Sequence, residues 1–551
     1  LYFVYYVGVR VVLTVTLAGP LVGALGTILV RFAAGAAAHR QRGLNPHELQ
    51  EHRLQEHRLQ QHWLQHIGEP GQLEALCGFV VTVAHGVSLL GAIALLVDVS
   101  MGARPALGPV SRPFAEADPL AVVVMVPVLV IATTVFAYAS RNLVGDNCAP
   151  RLFARGSFVV TGTLLVASAA RLSTMSVGWL LTSLAVLALL GYRGRTATTR
   201  RAALRRTGLA FLFGDLAFLG AVLTVGFVVG DPSLGDLRHS EALLSAQSVT
   251  PSGWPKVSAA ALTAVLLVIA ALVRAGQVPT SRWLARTVEA PTPLSALLHA
   301  GVVNAGGIVL VRWGVVLAVS PSANWLLGVA ALGTIAVSIA TFDVRRDAKG
   351  VLAVSTSAQM GFMLLACAMG APAAAMTHLV GHALYKSARF LGAGDDIRRT
   401  TVLRRFAEGP GNASLVRRVA CMVFAAGTTI AVMIATEPGV PWRNSWWTLG
   451  SAAVAATGVA GWSYGSKDVH STRLTLVGLV VLGCADAYLG VAAVISHFLE
   501  HSVATSQGRW VPTSVGLAGA AIAGAAATLA LRHPRTAPRA FVAAAARIEA
   551  R

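Results

Sequence analysis

AAMTHLVGHALYKSARFLGAG, residues 374–394, reads as a helix long enough to cross a bilayer that nevertheless carries ionisable side chains along one face. His378, His382 and Lys386 follow one another at i, i+4 and i+8, which aligns them over about 12 Å of helix rise. The lysine is not a default cation in this chain. Of forty-four Lys and Arg residues only four are lysines: Lys256, Lys349, Lys386 and Lys467. Arginine stays protonated in proteins, whereas a desolvated lysine can lose and regain its proton near neutral pH. Ionisable groups inside membrane segments are costly and as a rule mark ion or substrate paths. The stretch therefore predicts a proton ladder of two imidazoles and an amine, with Gly381, Gly392 and Gly394 as break points in the helix. Lys256 and Lys467 fall in connecting segments and read as ordinary loop cations.

The rest of the chain has the same apolar character. Hydrophobic residues make up 55% of the 551 positions and charged residues 12%, and the mean hydropathy is +0.66, which excludes an ordinary soluble globular protein. Apolar runs of spanning length, about 20 residues each, recur at 5–30, 73–98, 119–140, 157–172, 174–192, 207–230, 257–285, 291–318, 324–342, 351–369, 374–394, 414–436, 446–463, 474–496 and 513–532. The expected fold is an all-α polytopic membrane protein of about fifteen transmembrane helices. Three regions are expected: N-terminal helices over 1–106, a conducting core over 107–400, and C-terminal helices with a basic tail over 401–551.

Loop charges orient the bundle. With the N-terminus outside, the inside loops collect Arg40 and Arg42, Arg141 to Arg155, the RGRTATTRRAALRR run at 193–206, Arg282 and Arg286, RRDAK at 345–349, RRTTVLRR at 398–405, and the Arg-rich tail. The outside loop at 231–256 holds Asp231, Asp236 and Glu241. This alternation obeys the positive-inside rule and puts the C-terminus in the cytoplasm of a cell (inner) membrane. The net charge of +20 is thereby topology and contact with anionic membrane lipids, and no nucleic acid is expected as a partner.

The five cysteines, Cys77, Cys148, Cys367, Cys421 and Cys484, form no CxxC pair, so neither a metal site nor a disulfide framework is expected. No cofactor is expected either. HELQEHRLQEHRLQQHWLQH, residues 47–66, repeats a five-residue unit, and a five-residue step turns a helix by about 140°. Its histidines spiral around the rod, and the segment reads as a solvated inside helix. No cleavable signal peptide is evident at the start of the sequence.

Further ionisable groups lie near or within the predicted spans. ARTVEAPTPLSALLHAGVVNAGGIVL, 285–310, combines Glu289, a Pro-Thr-Pro helix start, His299 and paired glycines. Just before it, Arg274, Gly276, Gln277 and Pro279 interrupt a span, and broken helices free backbone groups that can line a hydrated cavity. Across that break Glu289 could balance Arg274 or receive a proton, the alternative being a solvated carboxylate at a helix entrance. Asp347 and Lys349 open the span at 351–369, Asp215 follows Gly214 in the span at 207–230, and Asp486 lies at 474–496. Together they predict a hydrophilic axis through an apolar bundle.

At these residues the chain resembles the antiporter-like membrane subunits shared by respiratory complex I (NuoL type), Mrp cation/proton antiporters and the DabB subunits of inorganic carbon pumps. The resemblance covers roughly residues 110–400. It is carried by YASRNL with the following PRLFA, GD at 214–215, QVPTSRWL, APTPLSALLHAG, DAKGVLAVSTSAQMG and GHALYKSARFLGAG. It implies discontinuous helices and a proton path through His299, Lys349, His378, His382 and Lys386. The respiratory subunits have Glu where this chain has Leu180, Lys where it has Arg274 and Gly where it has Glu289. WLLTSL, EAPTPLSALLHAGVVNAGG and HALYK resemble the DabB branch. In that branch the membrane subunit pairs with DabA, a peripheral zinc protein similar to a carbonic anhydrase, so any hydration of CO2 would occur in the partner and this chain has no catalytic site of its own evident. The expected function is a proton- or cation-conducting subunit of an inorganic carbon uptake complex. The alternatives are a subunit of a quinone-linked respiratory complex or Mrp-type antiporter, and a non-conducting membrane anchor.

Overall fold

The computed structural model describes residues 2–43, 71–191, 197–238, 240–250, 256–286, 291–342, 348–393, 491 and 494–499. Expectations that fall elsewhere, namely those on Glu289, Asp347, Asp486, Cys421, Cys484 and the repeat at 47–66, lie outside these residues. So do almost all of the four spans placed beyond residue 400.

The described chain is helical apart from one short hairpin, and it contains fifteen α-helices. They are α1 (Tyr2–Gly43), α2 (Gln72–Ser100), α3 (Pro119–Asn142), α4 (Ala149–Ser168), α5 (Leu172–Leu190), α6 (Ala197–Val229), α7 (Glu241–Ala246), α8 (Ala259–Arg274), α9 (Arg282–Arg286), α10 (Thr292–Ala300), α11 (Ala305–Arg312), α12 (Gly314–Ala318), α13 (Pro321–Phe342), α14 (Ala348–Ala368) and α15 (Pro372–Leu391). Eight described segments are long and apolar enough to cross a membrane by length and composition. The chain is therefore a multi-pass membrane protein. The count of fifteen is not one helix per predicted span, because the runs at 257–285 and 291–318 are each built from short pieces.

The described residues fall into two compact units, the first from residues up to 208 with 289–302, the second from 209–288 with 303 onward. In the first unit α1 packs on α2, α2 on α3, and α4 on α5. Helix α2 shows why these helices need a bilayer. Its buried positions Cys77, Val81, His85, Ser88, Ala92, Leu95 and Val99 recur every three or four residues, while Phe79 and Leu90 on the other face are 65% and 68% exposed. In water such a stripe would be an aggregation surface, whereas in lipid it is the expected exterior. Helix α3 is the most enclosed of the long spans in this unit, and its start is fixed locally. Asp118 accepts from the Ala121 N–H at 2.8 Å, and Pro119 occupies a first-turn position whose missing donor costs nothing.

Helices α4 and α5 meet through a pair of glycines. A Cβ on Gly162 would stand 2.8 Å from the Gly178 carbonyl oxygen, and one on Gly178 would stand 2.8 Å from the Gly162 carbonyl oxygen. Small residues at such crossings let backbones approach closely, which supplies the dispersion contact that replaces the hydrophobic effect inside lipid. Strands β1 (Ala106–Leu107) and β2 (Ala115–Glu116) form an antiparallel hairpin between α2 and α3. The Arg10 guanidinium donates to the Gly108 carbonyl at 3.1 Å and ties this hairpin to α1.

In the second unit α8 packs against α11 and α13, α13 against α14, and α14 against α15. Helix α8 begins at Ser258, whose hydroxyl accepts from Ala261 N–H at 3.2 Å. It ends at Arg274, and Gly276 then adopts φ +63°, a left-handed conformation that glycine takes without a steric penalty. The expected interruption of this span is therefore present. The expected break at Gly381 is not, since α15 runs continuously from Pro372 to Leu391. A glycine inside a helix costs only about 1 kcal/mol relative to Ala. Gly381 lies on an exposed part of α15 with no atom within 4 Å of where its Cβ would be, so nothing forces the backbone to depart from the helix. Gly392 caps the helix.

Candidate functional site

The candidate site lies in the second unit, where α15 faces α14. The helical spacing places His378, His382 and Lys386 along one side of α15, and the two imidazoles stack with centroids 6.0 Å apart and 22° between planes. His382 and Lys386 are buried, the lysine to 1% exposure. The Lys386 ammonium donates to the Leu352 carbonyl at 3.2 Å and to the Ser355 hydroxyl, both on α14. The same Leu352 carbonyl also accepts from the hydroxyls of Ser355 at 3.0 Å and Thr356 at 2.8 Å. One carbonyl thus gathers three side-chain donors in an otherwise apolar bundle. Among the described residues no carboxylate pairs with Lys386, whose partners are neutral oxygens.

Gln359 sits one turn further along α14. His382 Nδ1 lies 2.9 Å from its amide oxygen. Neither Gln359 nor Ser355 was among the residues expected from sequence, although both lie within the DAKGVLAVSTSAQMG motif. They are uncharged, so only their position on a helix that faces the ladder identifies them.

The break after α8 attaches to the same helix. Gln277 donates from its amide nitrogen to the Ser357 carbonyl on α14 and to the Ala275 carbonyl two residues earlier, each at 3.1 Å. Val278 N–H donates to Thr334 of α13 at 3.0 Å. The backbone groups freed by the break are therefore satisfied by side chains, which is the condition for irregular backbone within a membrane protein.

At the end of α8, Arg274 is 2% exposed and donates to Asp215 of α6 at 3.0 Å. Its guanidinium carbon stands 4.9 Å from the centroid of the Phe211 ring, and Phe211 meets Trp283 edge-on at 4.9 Å. The Trp283 indole donates to the Val273 carbonyl at 2.9 Å and locks the short α9 under the break. Asp215 lies fifty-nine positions away in sequence, and the packing of α6 beside the break brings it to the guanidinium; the expectation on Glu289 falls outside the described residues.

The remaining expected residues are dispersed. Lys349 is half-buried in the first turn of α14. His299 is fully buried in α10, which packs on α3 in the first unit. Within the second unit the structure thus brings together His378, His382 and Lys386, and separately Arg274 with Asp215.

Residues 169–443 match the sequence model of the NADH:quinone oxidoreductase/Mrp antiporter transmembrane family. The chain is 32% identical over 302 residues to the probable inorganic carbon transporter subunit DabB1 of Halothiobacillus neapolitanus, covering 55% of this chain and 53% of that protein. It is 29% identical over 320 residues to the probable DabB subunit of Hydrogenovibrio crunogenus, covering 57% and 59%. NADH-quinone oxidoreductase subunit L of Campylobacter jejuni is 30% identical over 283 residues, covering 51% and 45%. These alignments span about half of the length of the curated relatives. Among solved structures, the Mrp complex from Dietzia sp. superposes with a TM-score of 0.55 at 22% identity, covering 86% of this chain and 56% of that one. An archaeal membrane-bound sulfane sulfur reductase superposes with a TM-score of 0.53 at 15% identity, covering 98% of both. The chain carries the membrane domain of the antiporter-like family, and the resemblance to DabB subunits read from its motifs is matched by these relatives.

Proposed function

We propose that this chain is the proton-conducting membrane subunit of an energy-coupled inorganic carbon uptake complex. It lies in the cell membrane with its N-terminus outside and its C-terminus in the cytoplasm, in contact with anionic lipids, and pairs with a DabA-like peripheral zinc subunit. The observation that carries the conducting role is Lys386, an amine buried in the bundle that is held by a carbonyl and a hydroxyl. A buried lysine retained for structure would be expected to have a carboxylate beside it, because the charge is otherwise expensive in low dielectric. An amine whose partners among the described residues are neutral oxygens can change its charge without stranding one of them, which suits a relay. The two stacked imidazoles extend that relay along α15. The carbon substrate and the zinc partner are supported by the resemblance to DabB subunits.

The test is growth of a carbonic-anhydrase-deficient host at air-level CO2, with the complex supplied in full. Lys386→Ala is expected to abolish rescue with normal complex yield. Lys386→Arg is expected to fail nearly as badly, since a permanent charge cannot shuttle a proton. Lys467→Ala is expected to rescue as wild type. Full rescue by Lys386→Arg would overturn the relay. Loss of assembly without any transport phenotype in assembled material would favour the non-conducting anchor.

A further inference from the structure

The ladder on α15 is served by one residue of the facing helix. We propose that Gln359 is a positioning residue for proton transfer: its amide oxygen holds His382 in the Nδ1–H form, so that the ring presents Nε2 as its basic nitrogen. This rests on the relay reading of Lys386 and adds to it the direction in which the His382 imidazole accepts a proton.

An amide oxygen only accepts hydrogen bonds, so the ring nitrogen that faces it must be an N–H. His382 Nδ1 stands 2.9 Å from the Gln359 Oε1 and therefore donates. A neutral imidazole has one donor and one acceptor nitrogen, and the hydrogen bond made by one nitrogen decides the role of the other. The lone pair of His382 is then on Nε2. The His378 ring lies one turn away and nearly parallel, with centroids 6.0 Å apart.

The consequence for transfer follows from proton bookkeeping. In the proposed relay the Lys386 ammonium gives up one proton and becomes a neutral amine, and His382, receiving a proton on Nε2, becomes an imidazolium with both nitrogens protonated. Return reverses these changes, and the Nδ1–H held by Gln359 is never broken. In the opposite tautomer Nε2 already carries its hydrogen. That ring can accept only at Nδ1, where the Gln359 oxygen opposes a lone pair. An imidazole without Gln359 would divide between the two forms and spend part of its time unable to accept.

Gln359→Met removes the side-chain oxygen at similar length. Gln359→Glu restores an oxygen acceptor. The experiment is 15N NMR of 15N-histidine-labelled full-length chain in its complex with the peripheral subunit in lipid nanodiscs, with His378 and His382 assigned by their loss in His378→Asn and His382→Asn. Proton uptake by the same complexes in liposomes is followed with a pH-sensitive dye. In the wild type His382 is expected as Nδ1–H. In Gln359→Met it is expected to lose that bias, and uptake is expected to fall about tenfold, with Gln359→Glu recovering the His382 tautomer. A wild-type His382 in the Nε2–H form overturns the proposal even if the Met variant fails to assemble. An unchanged His382 tautomer in Gln359→Met, or a changed tautomer with unchanged uptake, also overturns it. Wild-type uptake retained by Lys386→Ala would instead remove the relay reading on which the positioning role depends.

Discussion

Removing the charge of Asp215 while keeping its shape tests how the broken span is held. Asp215→Asn leaves an oxygen to accept from Arg274 but strands the guanidinium, which is 2% exposed. Breaking a buried ion pair from one side costs about 3–5 kcal/mol, since the surviving charge keeps its desolvation cost without its partner. The Phe211 face 4.9 Å from the guanidinium carbon is present in both proteins and does not reduce the difference. Asp215 itself is 15% exposed, which screens part of the pair, so the lower end of the range applies. A loss of about 3 kcal/mol corresponds to roughly a hundredfold fall in the folded-to-unfolded ratio. Arg274→Gln should cost less, about 1–3 kcal/mol, because the carboxylate left behind is the better solvated partner. The double variant should lie well above the sum of the two, with a coupling of about 2 kcal/mol or more. Unfolding of the four solubilised proteins by titration with a denaturing detergent gives the cycle directly. Additivity within about 0.5 kcal/mol would refute the pair as a structural lock. A double variant that folds and still supports carbon uptake would show that neither charge belongs to the proton path, as expected of an arginine that cannot deprotonate.

Two further outcomes are expected. In a background lacking the native cysteines, single cysteines placed between 193 and 206 and between 398 and 413 should label only from the cytoplasm and those in 231–256 only from outside, and cytoplasmic labelling of 231–256 would invert the topology. Gly162→Ala and Gly178→Ala should each destabilise by about 1–3 kcal/mol, because a Cβ at either site stands 2.8 Å from the other glycine's carbonyl oxygen. Equal stability to wild type in thermal unfolding would mean that α4 and α5 separate without cost.

The ladder on α15 was legible because three rare side chains share the helical period, a pattern that needs no knowledge of neighbours. The break after α8 was legible for a similar reason, since Gly276 and Pro279 act on their own backbone. The helix count was recovered as a number but not span by span, because hydropathy does not register that α10, α11 and α12 divide one apolar run. Gly381 was misread as a break because glycine permits one without requiring it. The pairing of Arg274 with Asp215, fifty-nine residues apart, carried no sequence signal because it is set by which helices pack. Ser355, Gln359 and the Leu352 carbonyl carried no sequence signal of their own, being neutral groups whose role comes from facing a lysine and two histidines.

The contrast between the two buried cations bears on why one is lysine and the other arginine. Arg274 has a carboxylate at 3.0 Å and an aromatic face at 4.9 Å, an environment suited to a planar charge that never changes. Lys386 has a carbonyl and a hydroxyl, oxygens that can face either the ammonium or the amine, the hydroxyl by rotating its own hydrogen. Exchanging the residues would therefore fail in both places for different reasons. A lysine at 274 could keep the ion pair but would lose the planar contact with Phe211. An arginine at 386 would bring a permanent charge to a site without a described counter-ion. With Asp215 beside it, Arg274 keeps a fixed charge at the break, and in the proposed relay the change of protonation is left to the ladder on α15.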